Sequence, residues 1–104
     1  MTLNGKEYGL FYSIGARCKF DSWIVNHENA SMTEGIVQRT LFMNEAYVKA
    51  FGGEKLTLDI IYSLPAKDFD ILMAAQQEQF DKDSAVTVEA EEERPKKARN
   101  AARK

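Results

Sequence analysis

Apolar and polar positions repeat with helical periodicity along most of the chain, and short turn motifs separate the periodic segments. Near the N-terminus, Asn4-Gly5 favours a tight reversal, and the β-prone residues Tyr8, Leu10, Phe11 and Tyr12 follow it. This pattern predicts a short hairpin with a first strand of only about three residues. Such a hairpin needs helices to pack against.

The first predicted helix covers about residues 14–28, with Ser13 as its N-cap, and it carries two apolar stripes. One stripe consists of Ile14, Cys18 and Val25. The other consists of Ala16, Phe20, Trp23 and Ile24. A helix that is apolar on two sides either lies between two other elements or buries one side only when a partner binds.

The second predicted helix begins after Ser31, which has capping-box spacing to Glu34, and ends near Phe51 before Gly52-Gly53. We expect its apolar stripe to face the core: Ile36, Val37, Leu41, Met43, Tyr47, Val48 and Phe51. Phe42 falls among polar residues instead, and a phenylalanine left in water forgoes roughly 1.5 to 3 kcal/mol of burial. Phe42 is therefore a candidate contact residue.

The remaining periodic segments are a short helix or turn over about 57–63 and a longer helix over about 65–82 that starts at Pro65. One face of the longer helix contains Phe69, Leu72, Met73, Gln76 and Phe80. Beyond Asp83 the periodicity is lost, and the charged composition predicts a disordered tail over 84–104. The expected fold is one α+β, predominantly helical domain over 1–83, in which the N-terminal β-hairpin packs on three to four helices.

The sequence contains no recognisable constellation of catalytic or metal-binding residues. A metal site needs three or four ligands, but His27 and Cys18 are the sole histidine and cysteine, more than two helical turns apart. Carboxylates such as Asp68 and Asp81 fall in polar helix turns with nothing to raise their pKa. The Gly52-Gly53 pair follows a helix, whereas a phosphate-binding loop follows a strand. We therefore expect no enzyme, no metal site and no cofactor.

The charge pattern disfavours nucleic acid as a partner. The chain has a net charge of -2, and acidic residues outnumber basic ones before Glu89. The tail then carries a basic cluster: Arg94, Lys96, Lys97, Arg99, Arg103 and Lys104. An acidic body repels phosphates, so any nucleic-acid contact would depend on this tail alone. A small nucleic-acid-binding or regulatory protein that acts through the tail is therefore kept only as the alternative interpretation.

The sequence also predicts a cytosolic location. There is no apolar run of membrane-spanning length and no basic region followed by an apolar stretch near the N-terminus. The lone cysteine cannot form an internal disulfide. We expect a protein without a membrane span.

The order of these motifs resembles the tail assembly chaperones of long-tailed, siphovirus-type bacteriophages over residues 2–82. An "NGKEY"-like hairpin leads through an "IGA"-like turn into a helix, here LNGKEYGLFYSIGARCKFDSW. A later helix ends in Gly-Gly before an "LT" stretch and an "LP"-led helix, here AYVKAFGGEKLTLDIIYSLPAKDFDIL. Each motif alone is ordinary helix punctuation, so their order and spacing carry the resemblance. Arg17, where the family favours an apolar residue, is a departure.

The resemblance implies a non-enzymatic protein of the infected host cytoplasm that is absent from the mature virion. It would form homo-oligomers, bind and solubilise the tape measure protein, and help recruit tail tube protein. In that family a longer product of ribosomal frameshifting often recruits the tube protein, and adjacent lysines such as Lys96-Lys97 are what an A-rich slippery sequence encodes. Candidate contacts with a partner or another copy are Phe20, Trp23 and Phe42, and the alternative is that these rings fill the core.

Overall fold

The structure, a computed structural model, describes residues 1–93 of the chain. It begins with a hairpin of strands β1 (Thr2–Leu3) and β2 (Lys6–Glu7), which pair antiparallel. The turn between them is made by Asn4 and Gly5, which have φ angles of 51° and 81°. Asparagine and glycine tolerate positive φ better than other residues, which explains why this dipeptide reverses the chain. The predicted hairpin is confirmed, but its second strand ends at Glu7, and the β-prone run from Tyr8 to Tyr12 lies outside the strands.

Four α-helices follow: α1 (Ile14–Asn26), α2 (Met32–Phe51), α3 (Leu58–Tyr62) and α4 (Phe69–Glu93). The Ser13 hydroxyl accepts the first cap bond of α1 from the Ala16 N–H at 3.0 Å. The capping box of Ser31 and Glu34 starts α2, and Gly52, with a φ of 81°, ends it. The mostly helical fold with an N-terminal hairpin is therefore as predicted.

Three predicted helix boundaries differ from the structure. The first helix ends at Asn26 rather than near residue 28. Pro65 precedes a 3₁₀ turn (Ala66–Asp68), so α4 begins at Phe69. At its other end α4 continues to Glu93 instead of stopping near 82, because this stretch is rich in alanine and glutamate, which favour helix without an apolar stripe. The rest of the predicted tail, including its basic cluster, lies outside the described residues.

The main hydrophobic core joins the hairpin, α2, α3, α4 and the segment before α3. Its buried members are Leu3, Tyr8, Val37, Leu56, Ile61 and Leu72. The hairpin thus contributes Leu3 and the residue that follows β2, Tyr8, to a core built mainly on helices. None of these buried members belongs to α1.

The buried Asn44 of α2 forms hydrogen bonds with two segments, the one after the hairpin and the one before α3. The Asn44 Nδ2 donates to the carbonyl oxygens of Gly9 at 3.0 Å and Glu54 at 3.2 Å. Its Oδ1 accepts from the Leu56 N–H at 2.7 Å. The prediction placed only apolar α2 residues in the core, but Asn44 is fully buried whereas Phe51 is exposed. Hydrogen bonds to backbone groups that have no other partner offset the cost of burying this amide.

A second polar cluster joins α4 to α2. The buried Gln76 Nε2 donates to the Ile36 carbonyl at 2.8 Å and to the Thr40 hydroxyl at 2.5 Å. The Gln76 Oε1 accepts from the Arg39 Nε at 2.6 Å. Among the described side chains no buried polar atom lacks a hydrogen-bond partner. Through the single side chain of Gln76, this network fixes the position of α4 along α2.

Candidate partner-binding surface

Helix α1 packs on α2 through only one of its two apolar stripes. Ala16 is buried and Phe20 is 8% exposed. On the opposite side Ile14 is 83% exposed, Val25 is 70% exposed, and Cys18 is also exposed. The structure therefore contains both predicted stripes and leaves one of them facing solvent.

A groove of about 480 Å³ opens between the C-terminal half of α1 and the N-terminal half of α2. We call it the α1–α2 groove. The α1 wall is formed by residues with i, i+3, i+4, i+7 spacing: Phe20, Trp23, Ile24 and His27. The α2 wall repeats this spacing: Met32, Gly35, Ile36 and Arg39. Two helices that present these positions to each other leave a channel with apolar walls between their axes.

Stacked rings make up much of the α1 wall. The Phe20 and Trp23 rings are nearly parallel, with centroids 6.2 Å apart, and the Trp23 and His27 rings stack at 4.4 Å. The Nδ1 of His27 lies 2.8 Å from the Trp23 carbonyl oxygen, which holds the imidazole against the indole. The wall is consequently a rigid aromatic surface that offers contact area at little cost in conformational entropy.

The opposite wall is apolar and accessible. Met32 is 82% exposed, and Ile24 faces it from α1 with 47% of its surface exposed. Gly35, which has no side chain, keeps the floor of the groove low between them. An unbranched methionine beside a glycine is a surface that adapts readily to different apolar partners.

Arg39 lies at the inner end of this groove between two aromatic rings. Its guanidinium carbon is 5.1 Å from the centroid of Phe20 and 4.9 Å from that of Phe80. Tyr12 packs edge-on against Phe80, with centroids 5.2 Å apart. Burial lowers the pKa of Arg39, and the nearby Tyr12 partly opposes that shift. Arginine remains charged despite this shift. The guanidinium of Arg39 on α2 is therefore a partly desolvated cation that contacts aromatic rings from α1 and α4.

The three residues predicted as contacts occupy different environments. Phe20 is buried between α1 and Arg39, so its ring is reached only at the groove floor. Trp23 is half-buried and lines the same groove. The structure brings these two rings together and places Phe42 elsewhere.

Phe42 is half-buried on a different part of the α2 surface. It borders two shallow clefts of about 130 and 230 Å³, one beside Ala16 and Lys19 of α1 and the other beside Leu56 and Leu58. Lys19 of α1 also forms an ion pair with Glu45 of α2 next to this ring. Phe42 therefore covers the junction between α1 and the segment before α3, and part of its ring remains accessible.

Sequence reasoning missed Met32, Ile36 and Arg39 as parts of a common surface. Their i, i+4, i+7 spacing on α2 is visible in the sequence. Ile36, however, was predicted to be a core residue, and nothing in the sequence distinguishes Arg39 from an ordinary surface charge. The groove forms where α1 packs against α2, and the pattern within a single helix does not show how two helices pack.

Two other kinds of site are absent from the described residues. No group of three or more His, Cys, Asp or Glu side chains there is arranged to hold a metal ion. No helix in residues 1–93 is long and apolar enough to cross a membrane. A second apolar groove, of about 360 Å³, lies between α2, α3 and α4 and is bordered by Val37, Tyr62 and Phe69.

No protein-family model, curated protein or solved structure matches this chain. A functional interpretation therefore depends on the α1–α2 groove, the exposed stripe of α1 and the order of the sequence motifs. Of these, the groove has the most defined geometry.

Proposed function

We propose that this protein is a tail assembly chaperone of a long-tailed bacteriophage. It binds the tape measure protein and keeps it soluble until tail tube subunits assemble around it. The observation that carries this proposal is the α1–α2 groove, an open, mainly apolar channel between two helices. Such a channel suits the apolar face of a third helix, which binds through residues at i, i+3, i+4 and i+7.

The chemistry of the groove fits a client that is held for a time and then released. A tape measure protein is a very long, partly apolar helix that aggregates unless its surface is covered. The groove offers stacked rings and a flexible methionine but no deep pocket, so each copy contributes modest affinity. Several copies along one client then give tight overall binding that tube assembly can displace stepwise.

The order of motifs also supports the proposal. The Asn4-Gly5 turn, the Ser13 cap, the Gly52-Gly53 break and Pro65 each coincide with an element boundary of the fold. Three of them, the Asn4-Gly5 turn, the Gly52-Gly53 break and Pro65, belong to the ordered motifs by which the chain resembles tail assembly chaperones. In this proposal the protein acts in the host cytoplasm, forms homo-oligomers on its client and is absent from the virion, while a longer frameshift product recruits tail tube protein.

The test is co-expression of the full chain with the tape measure protein encoded by the long reading frame downstream of its gene. We expect the soluble fraction of the tape measure protein to rise several-fold over expression alone. An unrelated small helical protein, expressed at the same level, controls for general effects on folding. No rise in solubility beyond that control would contradict the proposed function.

A further inference from the structure

The charged end of the α1–α2 groove has unused hydrogen-bonding capacity. A guanidinium has five N–H donors, and within residues 1–82 Arg39 uses only its Nε, which donates to Gln76. The Phe20 and Phe80 rings lie against the guanidinium, with their centroids 5.1 and 4.9 Å from its carbon atom. Its terminal Nη groups donate no hydrogen bond within residues 1–82.

The side chains of residues 1–82 supply no carboxylate for this cation. Glu28 lies on the rim of the groove but makes no ion pair with Arg39. The lysines Lys19 and Lys82 do have carboxylate partners, Glu45 and Glu78. Arg39 is the one basic side chain of residues 1–82 that is partly buried, and it has no ion-pair partner among them. This makes the groove complementary to a negative charge next to apolar side chains.

We propose that the α1–α2 groove binds an amphipathic helix that carries one carboxylate at the end of its apolar face, and that Arg39 pairs with this carboxylate. The inference rests on the proposed function, since the helix would be a segment of the tape measure protein. It adds a sequence rule for the client. Client segments that bind are those with an aspartate or glutamate beside two turns of apolar residues.

The dimensions of the groove set the length of the segment. From Met32 to Arg39 the α2 wall spans seven residues, which is about 10 Å along a helix axis. A bound helix therefore contacts the groove over about two turns. The apolar residues of the bound helix contact Ile24 and Met32. Its carboxylate lies at the inner end of the groove, next to Arg39. Because the planar guanidinium is fixed by two rings, it can accept a carboxylate in the two-pronged geometry that gives the strongest pairs.

The test uses the full-length protein and a yeast-displayed library of 20-residue helices with varied residues along one face. We expect enrichment of peptides in which an aspartate or glutamate follows apolar residues at helical spacing. An enriched peptide and its Glu→Gln or Asp→Asn counterpart are then synthesised and titrated against the protein. Trp23, the one tryptophan of the chain, lines the groove and reports binding by its fluorescence.

We expect the amide peptide to bind roughly tenfold or more weakly than the acidic one, as for loss of a charge-assisted hydrogen bond. The difference between the two peptides should disappear with Arg39→Gln and persist with the control Arg17→Gln, since Arg17 is exposed outside the groove. Because the peptide change leaves the protein intact, the comparison remains decisive even if Arg39→Gln folds poorly.

Three results would overturn the inference: no enriched peptide, enriched peptides without an acidic residue, or equal binding of the acidic and amide forms. A synthetic peptide of residues 84–93, which contains the acidic run of this chain, is included as a competitor. Equal or tighter binding of that peptide would also overturn it, by assigning the groove to another copy. The outcome is separable from the proposed function. If the tape measure protein becomes soluble but the peptides show no acid dependence, the proposed function stands and the inference fails. If the peptides show acid dependence but the tape measure protein stays insoluble, the groove still recognises an acidic helix and the proposed function fails.

Discussion

The two sides of α2 are built differently. Toward α4, a fully satisfied polar network of Gln76, Thr40 and the Ile36 carbonyl lies beside the buried Leu72. Toward α1, only Ala16 and Phe20 are buried on the partner helix, and an open groove separates the rest of α1 from α2. The α4 side, which we call the sealed side, is closed at Gln76 and Leu72, although the second apolar groove opens at its edge beside Val37 and Phe69. The α1 side, which we call the open side, leaves apolar surface accessible along the α1–α2 groove.

This difference separates stability from binding. The sealed side gathers the apolar burial and the matched hydrogen bonds that favour one arrangement of helices. The open side forgoes some of that burial and retains a surface that another chain can cover. A small domain has little stability to spare, and uncovered apolar surface is the kind of surface that binding to another chain would bury.

The largest expected effect comes from creating a cavity on the sealed side. Leu72→Ala should lower the free energy of unfolding by about 2–5 kcal/mol, because a leucine that is 1% exposed loses its contacts and leaves a void. The neighbouring Met73→Ala is the control, with an expected loss below about 1 kcal/mol since Met73 is 45% exposed. Urea denaturation followed by circular dichroism measures both. Equal losses would mean that α4 does not seal this side as described.

A somewhat smaller effect is expected from the buried amide. Asn44→Ala should cost roughly 2–3 kcal/mol, because it leaves the Leu56 N–H and the Gly9 and Glu54 carbonyls without their partner. Asn26→Ala on α1 is the matched change, since its side chain makes one exposed hydrogen bond to the Ser22 carbonyl. We expect that variant to lie within about 0.5 kcal/mol of wild type in the same denaturation assay.

Native-state hydrogen exchange compares the two sides without a mutation. Amides of α1, such as those of Lys19 to Trp23, should open at least about 1 kcal/mol more easily than those of Thr40 to Asn44 in α2, because α1 buries few residues. Mass spectrometry of peptides from each helix gives the protection. Equal protection would show that α1 opens only with the whole domain, and it would weaken the distinction between the two sides.

The smallest effect is expected on the solvent-facing stripe of α1. Val25→Ser should change the free energy of unfolding by less than about 0.5 kcal/mol, because Val25 is already 70% exposed. Sedimentation velocity on the same variant shows whether the stripe takes part in self-association. A large loss of monomer stability would mean that this stripe is covered within the monomer.

Much of the fold was predictable because local chemistry determines it. Asn4-Gly5, the Ser31 capping box and Gly52-Gly53 mark element ends through backbone geometry and cap bonds that depend on a few neighbouring residues. The end of α4 was not predictable in this way. There a helix continues on propensity alone after its apolar stripe has ended.

The candidate site was predictable only in part. The double stripe of α1 was visible, and Trp23 does line the groove. Asn44 and Gln76 appear in the sequence as polar residues, and only the approach of Gly9, Leu56 and Ile36 from distant segments explains their burial. Arg39 was missed for the same reason, because its importance arises from rings on two other helices.

The most direct test of the account compares two adjacent residues of α1 in the co-expression assay. Ile24 lines the α1–α2 groove, whereas Val25 belongs to the exposed stripe of α1 outside it. If the groove holds the tape measure protein, Ile24→Asp should reduce its soluble yield to nearly that of the tape measure protein expressed alone, while Val25→Asp should retain most of the wild-type effect. Equal yields with the two variants, both folded by circular dichroism, would contradict the central claim that the groove is the binding surface.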